Sequence, residues 1–328
     1  MCRREVLCKY RKEKGINKKA KVMEEMIKTE DLTKVYNGNK AVDGLNLEIA
    51  EGDIFGFLGP NGAGKSTTIL MLVGMIEPSE GKCFINDIEV ARNPLKVKEI
   101  IGYLPEDVGF YGDMTAEQNL DYFARFYAMD ASARKKRIGE LLELVQLDGV
   151  SQKVGGYSRG MNQRLGLAKA LLNDPEVLFL DEPTANLDPE GVFQYRELTK
   201  QLSDEGKTIF ISSHILSEVS KVCNTIGIIS KGTLIARGTL EELKNEFGRV
   251  GVENLRIIVE TIEPLPEIEH EDIISAEYSE TKRKVIIEAK SDLRNYISCK
   301  LFEKGVKVKE MRMEEPTLED VFMSVYRR

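Results

Sequence analysis

Across residues 27–248, short runs of β-branched and apolar residues alternate with segments whose apolar positions recur every three or four residues. The runs predict strands at 41–49, 53–58, 177–180, 208–212 and 225–230. The longer period predicts helices following Lys65, Thr115, Ala133, Ser158, Pro189 and Leu216. Strands and helices interleaved in this order predict an α/β fold with a largely parallel sheet. A compositional seam at 248–254 ends this pattern. Beyond it, "LRIIVET", "IISAEYS", "KVIIEA" and "VKVKEMRM" read as strands and "SDLRNYISCKLFEKG" as a helix. "TLEDVFMSVY" then closes the chain, with Thr317 as N-cap and Asp320 three residues on, close to a capping box. The expected organisation is a basic extension over 1–25, a first domain over 26–248 and a small α+β domain over 249–328. No internal repeat or low-complexity segment is evident.

Composition narrows the class. The 328 residues are 42% hydrophobic and 31% charged, as in a soluble globular protein. The strongest apolar runs, "VLFL" and "TIFIS", are of strand length, far short of the roughly 18–20 residues that cross a bilayer. A formal charge of −7 argues against a general nucleic-acid binder. Cys2, Cys8, Cys83, Cys223 and Cys299 are scattered, odd in number and without metal-type spacing, which predicts reduced thiols and a cytosolic setting. The first ~25 residues are basic and lack the apolar core of a secretory signal. They are expected to form a loose tail, with contact to anionic lipid headgroups as the alternative.

The chemistry is concentrated at two places. "GPNGAGKS", from Gly59 to Ser66, follows the apolar "IFGFL" and precedes the helical "TTILMLVGM". Glycines at such spacing permit positive φ and close backbone approach, so successive N–H groups from Gly59, Pro60, Asn61, Gly62, Ala63 and Gly64 onward can curl round phosphate, proline itself supplying none. Lys65 reaches the β- and γ-phosphates and the Ser66 hydroxyl ligates Mg²⁺, with Thr67 beside it. In "VLFLDEPTANLD" a buried strand delivers Asp181 and Glu182 at its end, where ligands of open α/β sheets bind. Asp181 fits a partner for Mg²⁺, direct or through a water, and Glu182 fits the group that orients and deprotonates the attacking water.

A third stretch, "GGYSRGMNQRLGLAKALL", places Ser158 and Gly160 ahead of a segment with helical spacing. Alone, Ser158 reads as a plain helix N-cap. Together, "GPNGAGKSTT", "YSRGMNQR", "LFLDEPTANLD" and "ISSHIL", in this order, resemble the nucleotide-binding subunit of ATP-binding cassette (ABC) transporters over residues 27–238. The tail "EEPTLEDVFMSVY" resembles, more loosely, subunits of two-component ABC-2-type exporters that move drugs, antibiotics or lipids. The resemblance implies a P-loop NTPase fold: a mostly parallel sheet with an antiparallel β subdomain and a helical subdomain. It also implies ATP and Mg²⁺ as ligands, ATP hydrolysis coupled to transport, and two cassettes packed head to tail. Ser158 and Gly160 would then cap the γ-phosphate held by the P-loop of the other copy.

Further positions take roles from the same resemblance. His214 matches the switch histidine at the γ-phosphate, and Asp188, in the stretch 186–188, matches the loop that crosses the dimer interface. Tyr36 is placed to stack on adenine, with packing of a strand-end tyrosine on the sheet as the alternative. Glu106 stands where the family usually has glutamine, in the loop that touches Mg²⁺ and the membrane partner's coupling surface. Tyr157, Arg159 and Met161 also depart from the family's leucine, glycine and glutamine, and Arg159 adds a cation expected to tighten the closed dimer. Phe110, Tyr111, Met114, Tyr122, Phe123, Phe126 and Tyr127 fit either a surface receiving a coupling helix or ordinary core packing. The implied partners are an integral membrane permease and a second cassette, with no nucleic acid, and the implied place is the inner face of the cell membrane. ABC proteins that act on ribosomes or in DNA repair are the alternative, but the paired cassettes or long coiled coil usual for them are missing from this sequence. A plain P-loop kinase would need neither the signature stretch nor His214.

Overall fold

Every residue of three successive central strands is buried, which is why their sequences read as unbroken apolar runs. The structure is a computed structural model and describes residues 25–185, 187–243 and 255–314. The basic extension over 1–24, Asn186, the seam and the closing "TLEDVFMSVY" segment lie outside the described residues.

The central sheet contains β3 (Ile54–Leu58), β6 (Ile101–Leu104), β7 (Val177–Asp181), β8 (Thr208–Ser213), β9 (Thr225–Ser230) and β10 (Thr233–Thr239). Their order is β10-β9-β3-β8-β7-β6, parallel throughout except for β10 on the edge. On one face the Phe210 ring lies 5.3, 5.4 and 5.6 Å from those of Phe55, Phe57 and Phe179. Aromatic pairs at such separations add to the stability that burial alone gives.

That face is covered by α1 (Lys65–Leu72) and by an antiparallel sheet of β1 (Glu25–Tyr36), β2 (Asn39–Ala50), β4 (Glu80–Ile85) and β5 (Ile88–Glu89). Ile27, Leu32, Leu45 and Leu47 share a core with Ile69, Leu72, Phe55 and Phe179, so the sheet grips α1 from behind.

The opposite face packs against helices. After α2 (Pro94–Ile100) come α3 (Ala116–Ala124), α4 (Ala131–Leu144) and α5 (Arg159–Ala170). Leu120, Ile138, Leu141, Leu165 and Ala168 join Leu178, Leu180 and Ile209 of the sheet. Thr115 and Gln118 form a reciprocal capping box at the start of α3. Helix α4 starts two residues ahead of the expected Ala133, because Asp130 accepts the Ser132 and Ala133 amides, each at 2.9 Å. Helix α6 (Pro189–Asp204) begins where expected. The helix expected after Leu216 is the single turn α7 (Leu216–Val219): Val219 and Cys223 close onto Gly56 of β3, and the chain turns directly into β9.

Strands β1, β4, β6 and β10 and helix α2 are not among the elements named from the sequence. Strand β1 carries charges and several register shifts that break its alternation, and β6 is only four residues long.

The C-terminal region forms a separate antiparallel sheet, β12-β13-β11-β14, from β11 (Leu255–Thr261), β12 (Ile273–Tyr278), β13 (Lys284–Ala289) and β14 (Val308–Glu314), with α8 (Arg294–Glu303) on one face. Strict alternation sends Ile257, Val259, Val285 and Ile287 to Ile297 and Leu301 of α8. The other face is charged: Arg256 reaches Glu288 and Glu314, and Lys284 and Lys309 both reach Glu260.

Candidate functional site

Strand β3 ends at the buried Leu58, and the loop over 59–64 runs into α1 at Lys65. Gly62 and Gly64 take φ of 79° and 105°, open to glycine and strained for other residues. A Cβ on Gly64 would lie 2.4 Å from the Ala41 carbonyl oxygen of β2. The loop is held from both sides: the Gly59 amide donates to Ser213 O at 3.1 Å, and the Gly232 amide donates to Ala63 O at 2.9 Å. Gly232, in the turn between β9 and β10, in turn accepts the Asp43 amide at 2.9 Å. Pro60, Asn61, Gly62 and Ser66 face solvent while Ala63, Gly64 and Lys65 are buried, and Thr67 is half-buried. The result is a rigid, outward-facing cradle of the kind that receives phosphate.

The Lys65 ammonium donates to Gly59 O at 2.7 Å and Pro60 O at 3.2 Å, and lies 3.1 Å from Glu182 Oε1. Its protons are aimed at the two carbonyls. Oε1 of Glu182 therefore has the lysine's charge beside it but no directed hydrogen bond. The other carboxylate oxygen lies 2.9 Å from His214 Nδ1. Glu182 is only 7% exposed and adopts φ of 46°, an unusual backbone for a non-glycine that stores about 1–3 kcal/mol. Its amide is anchored on Ser212 Oγ at 3.0 Å. Strands β7 and β8, neighbours in the sheet, thus deliver Glu182 and His214 together against the loop that carries Lys65.

Asp181 is 3% exposed and accepts a 2.5 Å hydrogen bond from Ser212 Oγ, yet pairs with no cationic side chain among the described residues. A buried carboxylate without a cation is costly unless a metal supplies the charge. Burial, and then the nearby Asp181, push the Tyr103 phenol up to about 12, keeping it neutral. Among the described residues no cluster of three or more acidic, histidine or cysteine side chains forms a ready-made cation cage. Ser66 and Asp181 fit Mg²⁺, which binds through few protein ligands and takes the rest from phosphates and water.

The signature stretch lies elsewhere. Ser158 caps α5 by accepting the Met161 amide at 3.2 Å, and Asp188 caps α6 by accepting the Gly191 amide at 2.9 Å. Ser158, Gly160 and Asp188 line one cleft of about 860 Å³ between α5 and α6, and no residue of the phosphate loop borders it. Arg159 is exposed. Glu106 is exposed in the loop after β6 and has no hydrogen bond or ion pair to another described residue. Tyr36 is 45% exposed at the end of β1 with Lys34 Nζ 5.2 Å from its ring centre, so it is not packed into the sheet. Proximity within the chain therefore unites Lys65, Asp181, Glu182 and His214, and leaves Tyr36, Glu106, Ser158, Gly160 and Asp188 outside that cluster.

Sequence reading missed Asn119, which is fully buried in α3. Its side chain accepts the Tyr111 amide at 2.9 Å and donates to Tyr111 O at 3.1 Å, pinning the loop that carries Phe110 and Tyr111. A polar residue inside an otherwise apolar helical face was the available signal. The aromatic set divides: Tyr111, Tyr122 and Phe126 are exposed, while Phe110, Phe123 and Tyr127 pack partly into the core.

Fold and cradle define a P-loop nucleotide-binding protein. The ABC transporter family model matches residues 42–185, and that of the ATP-binding protein DrrA1-3-like, C-terminal domain, matches 238–326. The bacitracin transport ATP-binding protein BcrA of Bacillus licheniformis is 40% identical over 313 residues, 92% of this chain and 98% of its own. The linearmycin resistance ATP-binding protein LnrL of Bacillus subtilis is 31% identical over 316 residues, with the same coverage. A solved dimeric post-hydrolysis ATP-binding cassette bound to ADP and Pi superposes with a TM-score of 0.61 at 27% identity, covering 66% of this chain and 99% of that one. The chain belongs to the ATP-binding proteins of the ABC transporter family. It is an ATPase subunit that powers transport, as the resemblance implied. Among the described residues no helix is long and apolar enough to cross a membrane.

Proposed function

We propose that two copies of this chain close head to tail around two ATP molecules and drive export through a separate membrane-embedded subunit. The observation that carries this reading is the division within one chain. Lys65, Glu182 and His214 are in mutual contact at 3.1 and 2.9 Å, while Ser158, Gly160 and Asp188 line a cleft that shares no residue with the phosphate loop. A second copy supplies the signature surface that each phosphate cradle lacks.

In this reading Gly59–Thr67 wrap the phosphates, and Tyr36, with its exposed ring, stacks on adenine. Insertion of the γ-phosphate draws Lys65 off Glu182. The freed carboxylate then orients the attacking water in line with the phosphorus and accepts its proton, and His214 holds the γ-phosphate. Ser66 and Asp181, with Glu106 on the loop after β6, would hold Mg²⁺, which would supply charge to neutralise the phosphates. Much of the acceleration comes from positioning and fixed charge. Residues 249–328, with a core of their own, serve as an accessory domain attached to a cassette over 26–248. The names of BcrA, a bacitracin transport protein, and LnrL, a linearmycin resistance protein, support an antibiotic-like cargo, and a transport role supports a position at the inner face of the cell membrane.

The test is the mass of the Glu182→Gln chain in solution with excess Mg-ATP. A dimer is expected. A particle that stays monomeric while the unaltered chain hydrolyses ATP overturns the two-copy site.

A further inference from the structure

Next to the loop after Glu182 lies a small, partly open pocket of about 20 Å³. It is bordered by Pro183 and Thr184, by Tyr195 and Arg196 of α6, and by Ser213 and Glu218 on either side of the His214 turn. Two of its residues carry buried polar atoms with no hydrogen-bond partner among the described residues: Tyr195 Oη and Glu218 Oε2. Tyr195 is 6% exposed, and burial pushes its phenol well above the ordinary range, so it is a neutral donor. Arg196 Nε donates to Val192 O at 3.4 Å and stands 3.9 Å from Glu218 Oε2, so its charge, not a hydrogen bond from that nitrogen, faces the carboxylate. The pocket has room for one water, which would satisfy both Tyr195 Oη and Glu218 Oε2.

The placement matters because of what Glu218 holds. It sits on α7, four residues after His214, a single turn anchored by the apolar Leu216 and Val219 and by the Ile215 amide, which donates to Ser213 Oγ at 3.0 Å. Arg196 sits on α6, whose first turn is capped by Asp188. We propose that Glu218, tied to Tyr195 through one ordered water and to the charge of Arg196 across this pocket, is a positioning residue for ATP hydrolysis. It fixes the turn that presents His214 to Glu182. The tie also joins the helix that begins at Asp188 to the His214 turn, so displacement of α6 is carried to the hydrolytic cluster. Glu218 touches neither nucleotide nor reacting atoms and acts only through His214.

This inference rests on the roles proposed for His214 and Glu182, and its test separates the two. Steady-state ATPase activity and thermal stability are measured for His214→Ala, Glu218→Gln, Arg196→Met and the Arg196→Met/Glu218→Gln pair. Unchanged kcat in His214→Ala overturns the underlying roles whatever the other variants do. With His214→Ala impaired, Glu218→Gln is expected to lower kcat about tenfold with KM for ATP within about twofold, because the phosphate cradle is untouched. The paired variant, which leaves no uncompensated charge, is expected to regain part of that loss. Glu218→Gln that lowers Tm but leaves kcat unchanged overturns the proposal, as does a paired variant whose losses simply add. Tyr195→Phe provides a shape-conserving check: a kcat loss of about threefold at constant KM supports the tie, and an unchanged kcat removes Tyr195 from it.

Discussion

Glu182 Oε2 lies 2.9 Å from His214 Nδ1, across the boundary between two neighbouring strands that are 27 residues apart in sequence from the end of one to the start of the next. The same carboxylate lies 3.1 Å from Lys65, so one side chain unites three separate sequence stretches. Removing either partner therefore has different consequences. Glu182→Gln is expected to retain ATP binding and to lose hydrolysis by about 10²–10⁴-fold, the usual contribution of a general base. His214→Ala is expected to lower kcat with a smaller change in binding. Phosphate release measured beside nucleotide affinity separates the two effects.

Gly64 leaves no room for a side chain. Its φ of 105° and the 2.4 Å approach of Ala41 O to a prospective Cβ both oppose any other residue. Gly64→Ala is expected to abolish nucleotide binding, by fluorescence titration, because the loop must shift away from β2. Gly62→Ala, at a position with open space around it, is expected to lose less.

Asn119 makes three hydrogen bonds from full burial, one to the Tyr111 amide and two to the Tyr111 and Thr115 carbonyls. Truncation to alanine leaves those groups unpaired and is expected to cost about 2–3 kcal/mol in denaturant unfolding. Asn119→Asp keeps the acceptor for the Tyr111 amide but sets a carboxylate against the two carbonyls, and is expected to be no better.

Asp121 ties α3 to α4 through Arg134 at 2.5 Å and to Arg125 at 2.8 Å. Hydrogen bonds from Arg134 and then Arg125 hold its carboxyl below the usual carboxylate range. A pKa lower in the folded chain stabilises it above the unfolded value of about 3.9, and this contribution is lost as pH falls through the folded value. The Tm gap between the unaltered chain and Asp121→Asn is therefore expected to be constant from about pH 5 to 7 and to shrink below about pH 4. A gap that widens in acid refutes the assignment. Exposure to solvent keeps the gap small.

Glu106 is exposed and has no hydrogen-bond or ion-pair partner among the described residues, so no contact among them uses its charge. Glu106→Gln is expected to preserve ATP affinity and to change hydrolysis only severalfold. Complete loss of activity assigns the carboxylate a specific catalytic duty.

The central strands were legible because burial on both faces leaves only apolar residues, as in "VLFL" and "TIFIS". The Ser158 cap was legible because a cap is a local device; that of Asp188, read only as an interface residue, went unnoticed. Strand β1 was not, because its bulges between Thr29 and Leu32 and again near Lys34 break the two-residue period. The contacts that unite Lys65, Glu182 and His214 were legible only as family roles, since sheet order, not sequence order, sets their distances. Glu218 and Tyr195 escaped notice altogether: an acid after a helix start and a tyrosine within a helix look ordinary until the fold buries them side by side.

The hydrogen bonds from Gly232 to Ala63 and from Asp43 to Gly232 tie the cradle to a hairpin made about 170 residues after the loop itself. A chain emerging from the ribosome carries "GPNGAGKS" long before it carries that brace. The braced form of the cradle is thus completed only once the β9–β10 hairpin has been made, long after the loop itself.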